Sequence, residues 1–187
     1  MACSLLASWA QADTTIVIVR HGEKPTMGLG QLSCKGLNRS LALANVLQSR
    51  YGIPVVIYAP NPADKKYDKG VPYAYVRPLA TIEPLAIASG LPVNLDWDMQ
   101  DISHLSRALL SQTEGTQVVA WEHHYADKLA RNLMATLGSD PTTVPDWNDD
   151  DFDSIYRVDI AGQMPNRHAV FTREQQGLNE VGEQCPK

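Results

Sequence analysis

An unbroken run of β-branched and apolar residues, Thr14-Thr15-Ile16-Val17-Ile18-Val19, ends at the polar turn Arg20-His21-Gly22-Glu23. A short run without polar alternation predicts a strand buried on both faces, as in the middle of a parallel sheet. Residues 36–50 then place Leu37, Leu41, Ala44 and Leu47 at helical spacing. Residues 54–58 predict a second buried strand, and residues 59–75, rich in Pro, Lys, Asp and Tyr, predict a loop. Residues 79–89 read as a helix in which Pro84 marks a kink or the first turn. A short strand at 92–95, a helix at 102–111, an apolar strand at 116–121 and a helix at 125–137 capped by Gly138 follow. Residues 154–160 and 168–172 read as two late strands about a Gly/Pro/Asn turn, forming a hairpin at one sheet edge.

Strands alternating with helices predict an α/β fold: three layers, a doubly wound, mostly parallel sheet, helices on both faces. With no internal repeat and no linker, residues 13–187 are expected to form one domain. The length of 187 residues and a hydrophobic content of 44% suffice for one core. The net charge of −5 removes any general attraction to nucleic acid or to an anionic membrane surface. An anionic ligand must therefore be held by a local cluster of cations.

Residues 2–12 are uncharged and mostly small or apolar, and Ala10-Gln11-Ala12 fits the small-x-small rule for signal-peptide cleavage. Export to a periplasm or beyond, with a mature start near Asp13, is the expectation. A loose extension on a cytoplasmic protein is the alternative. Cys34 and Cys185 would form an even pair in an oxidising compartment, but no spacing rule links them, so two unrelated thiols is the plainer reading. No Cys-x-x-Cys or Cys/His metal spacing occurs.

In open α/β sheets ligands bind outside the C-terminal ends of the strands. That rule points to Arg20-His21 after the first strand and to Glu122-His123-His124 after the fourth, with Arg77 on a connection that can reach the same edge. Guanidinium groups match phosphate oxygens with paired donors, and an imidazole beside them stays neutral and nucleophilic. The residue types therefore suit phosphoryl transfer.

Val17-Ile18-Val19-Arg20-His21-Gly22-Glu23-Lys24-Pro25 resembles the opening motif of the histidine phosphatase superfamily, the phosphoglycerate mutase-like enzymes. Leu32-Ser33-x-x-Gly36-x-x-Arg39-Ser40 resembles that family's Leu-Thr-x-x-Gly-x-x-Gln-Ala segment, with Arg in place of Gln. Arg77-Pro78-Leu79-Ala80-Thr81 resembles its Arg-Ala-x-x-Thr segment. Val118-Val119-Ala120-Trp121-Glu122-His123 resembles the strand ending in its second catalytic histidine. Four segments in the right order carry far more weight than Arg-His-Gly alone.

The resemblance implies a phosphate monoester hydrolase in which His21 carries the phosphoryl group. It implies Arg20, Arg77 and His123 around the phosphate, and no metal or other cofactor. His124 competes with His123 for one role. The resemblance puts Asp101 in the proton donor's place, where the family has Glu; Asp98 and Glu122 are alternatives, and an N-cap ahead of Ile102 is the ordinary reading of Asp101. His104 and His168 are expected to be structural or exposed. Tyr67, Tyr73 and Tyr75 either shape a substrate pocket or simply pack their loop. Residues 146–153 hold five aspartates without calcium-loop spacing and read as a solvated acidic segment. The inserts at 59–76 and 139–153 are too modest for the water-excluding lid of a mutase, so hydrolysis is expected, with a small phosphorylated substrate and inorganic phosphate as product. A phosphohistidine protein phosphatase, which needs an open cleft, and a non-catalytic phosphate-binding domain are the alternatives.

Overall fold

The computed structural model describes residues 13–162 and 165–186. The proposed signal segment, residues 1–12, lies outside them. In chain order the elements are β1 (Thr14–Arg20), α1 (Cys34–Tyr51), β2 (Val56–Tyr58), β3 (Lys65–Asp68), β4 (Val71–Ala74), α2 (Arg77–Ser89), β5 (Val93–Asn94), α3 (Ile102–Ser111), β6 (Gly115–Trp121), α4 (His123–Thr136), β7 (Ser154–Ala161) and β8 (His168–Gln175). Six strands form one sheet in the order β5-β2-β6-β1-β7-β8. β5, β2, β6 and β1 run parallel, while β7 and β8 pair antiparallel as the edge hairpin expected from the sequence.

β1 is buried on both faces. Val17 and Val19 pack with Leu43, Leu47, Ile82 and Leu85 of α1 and α2, while Ile16 and Ile18 pack with Leu105, Leu109, Leu129 and Leu133 of α3 and α4. Opposite pleats of one strand thus seed two cores, giving the three layers. The register Arg20↔Trp121 sets the ends of β1 and β6 level, and His21 N–H donates to Trp121 O at 3.1 Å. That pairing brings the first and last phosphate-type segments to one edge.

Pro84 lies inside α2, neither at its start nor its end. A proline there cannot donate to the carbonyl four residues back, which is Ala80. The Ser40 hydroxyl donates to Ala80 O at 2.7 Å instead, so the α1–α2 contact absorbs the missing bond.

Two expectations are corrected. Residues 65–68 and 71–74 are an antiparallel hairpin, not a loop. Its turn residues Lys69 and Gly70 have φ of 49° and 83°, the paired positive angles of a tight hairpin turn. The Lys-Gly turn and Pro72 in the strand hid it, since Asn-Gly or Asp-Gly is the usual signal. Cys34 and Cys185 are not unrelated thiols; they form a disulfide across 151 residues with their Cα atoms 4.5 Å apart. The Asn38 amide adds donations to Gly182 O and Gln184 O, each at 2.7 Å. The C-terminal tail is thereby fastened to α1. Closing so long a loop constrains the unfolded chain and contributes roughly 2–4 kcal/mol.

Candidate active site

Packing behind the first turn is close. A Cβ on Gly36 would stand 2.3 Å from Glu23 O, and one on Gly22 would stand 2.8 Å from Gly36 O. The glycines therefore let the turn lie on the start of α1, where Ser33 caps the helix by accepting from Gly36 N–H at 3.1 Å. Gly22 N–H donates to Thr81 Oγ1 at 2.8 Å, and Thr81 Oγ1–H donates to Arg77 O at 2.8 Å. The threonine of the Arg-x-x-x-Thr segment thus couples the His21 turn to the Arg77 turn.

His21 is 2% exposed. Its Nδ1 lies 2.7 Å from Gly22 O. An imidazole donating from Nδ1 keeps its lone pair on Nε2, the arrangement a nucleophile needs. Burial pushes the His21 pKa well below the ordinary histidine value; the Gly22 carbonyl opposes this, and the charges of Arg77, Arg20 and Lys66 lower it further. The ring is neutral at physiological pH.

The two arginines are fixed before any ligand arrives. One terminal nitrogen of Arg20 donates to the backbone carbonyls of Asn148, Asp149 and Asp151, and its guanidinium stacks 3.9 Å from the Phe152 ring centre. Arg77 is held by Asp68, with its Nη1 at 2.7 Å and Nη2 at 3.3 Å from the two carboxylate oxygens. Although burial opposes ionisation, Arg77 and the Gly30 N–H hold the Asp68 carboxyl below its usual range. The acidic segment 146–153 exposes Asp146, Asp149 and Asp150, as expected of a solvated segment, and also has a role the sequence did not show: its backbone clamps Arg20, and the Asp149 carboxylate lies 2.7 Å from His123 Nε2. Carbonyl oxygens carry no residue identity, so no sequence signal announced this clamp.

His123 is 8% exposed and opens α4 beside His124, the ring centres 3.9 Å apart. His124 is the exposed neighbour, its Nε2 3.4 Å from Asp149. Glu122 is 3% exposed; it accepts from His124 N–H at 2.9 Å and pairs with Lys66 Nζ at 3.0 Å. Burial disfavours its charge, yet the adjoining His123 and Lys66 hold its pKa well below the usual carboxylate range. Lys66 and Asp68 share one face of β3, which the two-residue period of a strand turns toward the site. Neither stood out in the sequence; only the alternation Lys66-x-Asp68 hinted at a common face.

Asp101 stands apart from this ring of contacts. Its carboxylate caps α3 by accepting from His104 N–H at 3.3 Å and lies 2.6 Å from His104 Nδ1. That bond to His104 holds its pKa below the usual value. Asp98 has no hydrogen bond to the site among the described residues.

Ligand-type atoms of Glu122, His123 and His124 lie within 4.8 Å of one another. Glu122 is already engaged by an ammonium and a backbone N–H at the positive end of α4, and Arg20 stands nearby; such surroundings suit an anion better than a cation. The buried donors agree. Seven buried side-chain N or O atoms lack a hydrogen-bond partner among the described residues, and four of them belong to this site: Arg20 Nε, Arg77 Nε, the Tyr75 hydroxyl and His123 Nδ1. Nδ1 of His123 is 3.2 Å from Glu122 Oε1 but is not aligned with it. Buried polar groups are normally paired, so these four, on side chains gathered near His21, are groups that an incoming ligand with acceptor atoms would satisfy.

No protein-family model and no curated protein sequence matches the chain. Solved structures share its fold. A protein described as mycobacterial hydrolase 2 aligns at 14% identity and TM-score 0.56, over 92% of this chain and 91% of its own. The Agrobacterium tumefaciens protein assigned as a phosphohistidine phosphatase SixA aligns at 16% identity and TM-score 0.52, over 86% and 98%. A mycobacterial glucosyl-3-phosphoglycerate phosphatase, solved in complex with VO3, aligns at 13% identity and TM-score 0.52, over 84% and 96%. The three-layer α/β architecture is therefore one this chain shares with these proteins over most of its length.

Proposed function

We propose that the chain is a metal-independent phosphatase of the histidine phosphatase superfamily, hydrolysing a small phosphate monoester through a phosphohistidine on His21. The observation that carries this reading is the set of four buried, unpartnered polar groups on Arg20, Tyr75, Arg77 and His123, gathered at the sheet edge that holds a neutral His21 whose Nδ1 is bonded to Gly22 O.

The chemistry follows from that geometry. The Nε2 lone pair attacks phosphorus while the P–O bond to the leaving group breaks, and the departing oxygen takes a proton. Arg20 and Arg77, rigidly held by backbone carbonyls and by Asp68, need no reorganisation to stabilise the charge spread over the equatorial oxygens. Water then attacks the phosphohistidine, His21 regains its lone pair, and inorganic phosphate leaves. A nucleophile only 2% exposed suits a small ester better than a phosphohistidine on a protein surface, which needs an open cleft. The Cys34–Cys185 bond supports export to an oxidising compartment.

Glu122 is the proton donor this arrangement favours over Asp101. At rest His123 and Lys66 keep it ionised. An arriving phosphoryl group competes for those same partners and adds negative charge beside the carboxylate, which raises its proton affinity. Asp101, by contrast, is occupied with His104. Glu122→Gln is expected to lose about 100-fold in kcat on alkyl phosphates and less than about 10-fold on p-nitrophenyl phosphate, whose leaving group needs little protonation. Asp101→Asn should stay near wild type on both. The reverse pattern would return the role to Asp101.

Turnover of p-nitrophenyl phosphate by the purified protein, with and without EDTA, tests the main reading. Hydrolysis unaffected by EDTA is expected. Because the His21 pKa is lowered, the neutral nucleophile persists as pH falls through 6.5, and the acid limb of kcat/KM lies well below that value. Phosphate binding with no release of nitrophenol from pH 4 to 8 would make this a binding domain instead.

A further inference from the structure

Tyr75 is the feature that neither packing nor the mechanism above accounts for. It ends the hairpin connection, one residue before the cap of α2, and its N–H is tied to Pro62 O at 3.1 Å. The side chain is 1% exposed. Its ring meets the His21 ring edge-on, centres 5.9 Å apart and planes at 88°, and lies 4.9 Å from the Arg77 guanidinium and 5.2 Å from the Lys66 ammonium. Phenylalanine would satisfy every one of those contacts. Only the hydroxyl is unexplained: it is fully buried and makes no hydrogen bond of good geometry among the described residues, although the Arg77 side chain lies close to it.

A buried hydroxyl without a partner weakens a fold, because water's hydrogen bonds are lost and not replaced. Such a group persists where something other than folding uses it. Resting on the phosphatase reading, we propose that the Tyr75 hydroxyl donates a hydrogen bond to an oxygen of the transferred phosphoryl group, a fourth donor beside Arg20, Arg77 and His123. The groups that act on this hydroxyl are Glu122, Arg77, through its charge and as a hydrogen-bonding neighbour, and Arg20. Burial, with Glu122 adding to it, raises the phenol pKa, so Tyr75 keeps its proton and serves as a donor rather than an acid. Its ring also holds the His21 imidazole and the Arg77 guanidinium at set angles, so the new hydrogen bond forms on a rigid support.

Tyr75→Phe separates the hydroxyl from the ring. Unliganded Tyr75→Phe is expected to melt at or above the wild-type temperature, by up to about 5 °C, because a buried orphan is removed. Its kcat/KM on p-nitrophenyl phosphate should fall about 10- to 100-fold, and vanadate, which mimics the phosphoryl group in flight, should inhibit it correspondingly less. The stabilisation by vanadate seen on melting should shrink in step. A variant that keeps wild-type kcat/KM and vanadate inhibition would sink the role of Tyr75 and leave the phosphatase reading standing. A lower melting temperature with unchanged activity would make the hydroxyl structural. Wild-type protein that neither turns over p-nitrophenyl phosphate nor binds vanadate would overturn both readings.

Discussion

Replacing His21 by alanine should lower kcat on any phosphate monoester by at least ~10³-fold, about 4 kcal/mol of transition-state stabilisation. The expectation rests on how little else can substitute for this group. On the proposed mechanism its lone pair makes the one bond from protein to phosphorus, and its neighbours are committed: Arg20 to three carbonyls, Arg77 to Asp68, Glu122 to Lys66. The fold should survive, since the ring's hydrogen bond is made to the adjacent Gly22 carbonyl and ties no distant segment. Burst kinetics and acid-labile phosphoenzyme, both expected of the wild type, should vanish. A His21→Ala protein retaining more than a tenth of the activity would show that another residue attacks phosphorus.

The second large effect is on stability and concerns Arg39, the position where the family's segment has Gln. Its guanidinium is 1% exposed. It donates to Glu23 at 2.8–3.1 Å, to Asp153 at 3.0 Å, to Gln176 at 3.1 Å and to Asn179 at 3.3 Å. One side chain thus joins the turn after β1, α1, the start of β7 and the C-terminal tail. Arg39→Met removes the cation and leaves Asp153 and Glu23 as carboxylates in a place built for pairs. Breaking a buried pair from one side costs about 3–5 kcal/mol. At roughly 2–4 °C per kcal/mol for a chain of this size, the melting temperature should drop by about 6–20 °C. Arg39→Lys should recover only part of it, because an ammonium cannot serve four partners in a plane. A melting temperature within a degree of wild type would show that the network contributes nothing.

Arg39 also shows how far the sequence could be read. Its departure from the family pattern was visible, but its partners lie 16 to 140 residues away and come from segments with no shared motif. The same holds for Lys66, which meets Glu122 across 56 residues from a hairpin whose Lys-Gly turn is an uncommon signal. Asp101 illustrates the opposite case. Its local role, capping α3, followed from Asp ahead of an apolar helix, whereas the proton-donor role carried over from the resemblance found no contact in the site to support it.

By itself the sequence determined the strands and helices whose periodicity spans a few residues, the two-faced burial of β1, and the emergence of Arg20-His21 and Glu122-His123 at strand ends. Those are short-range consequences of side-chain pattern. Only the tertiary structure decided that the Arg20↔Trp121 register sets the two ends side by side, that carbonyls of residues 148–151 grip Arg20, that Asp68 grips Arg77, and that Cys34 meets Cys185. The physical reason is common to all four. Each depends on backbone atoms or on pairings between separate elements, and neither leaves a periodic trace in the order of amino acids.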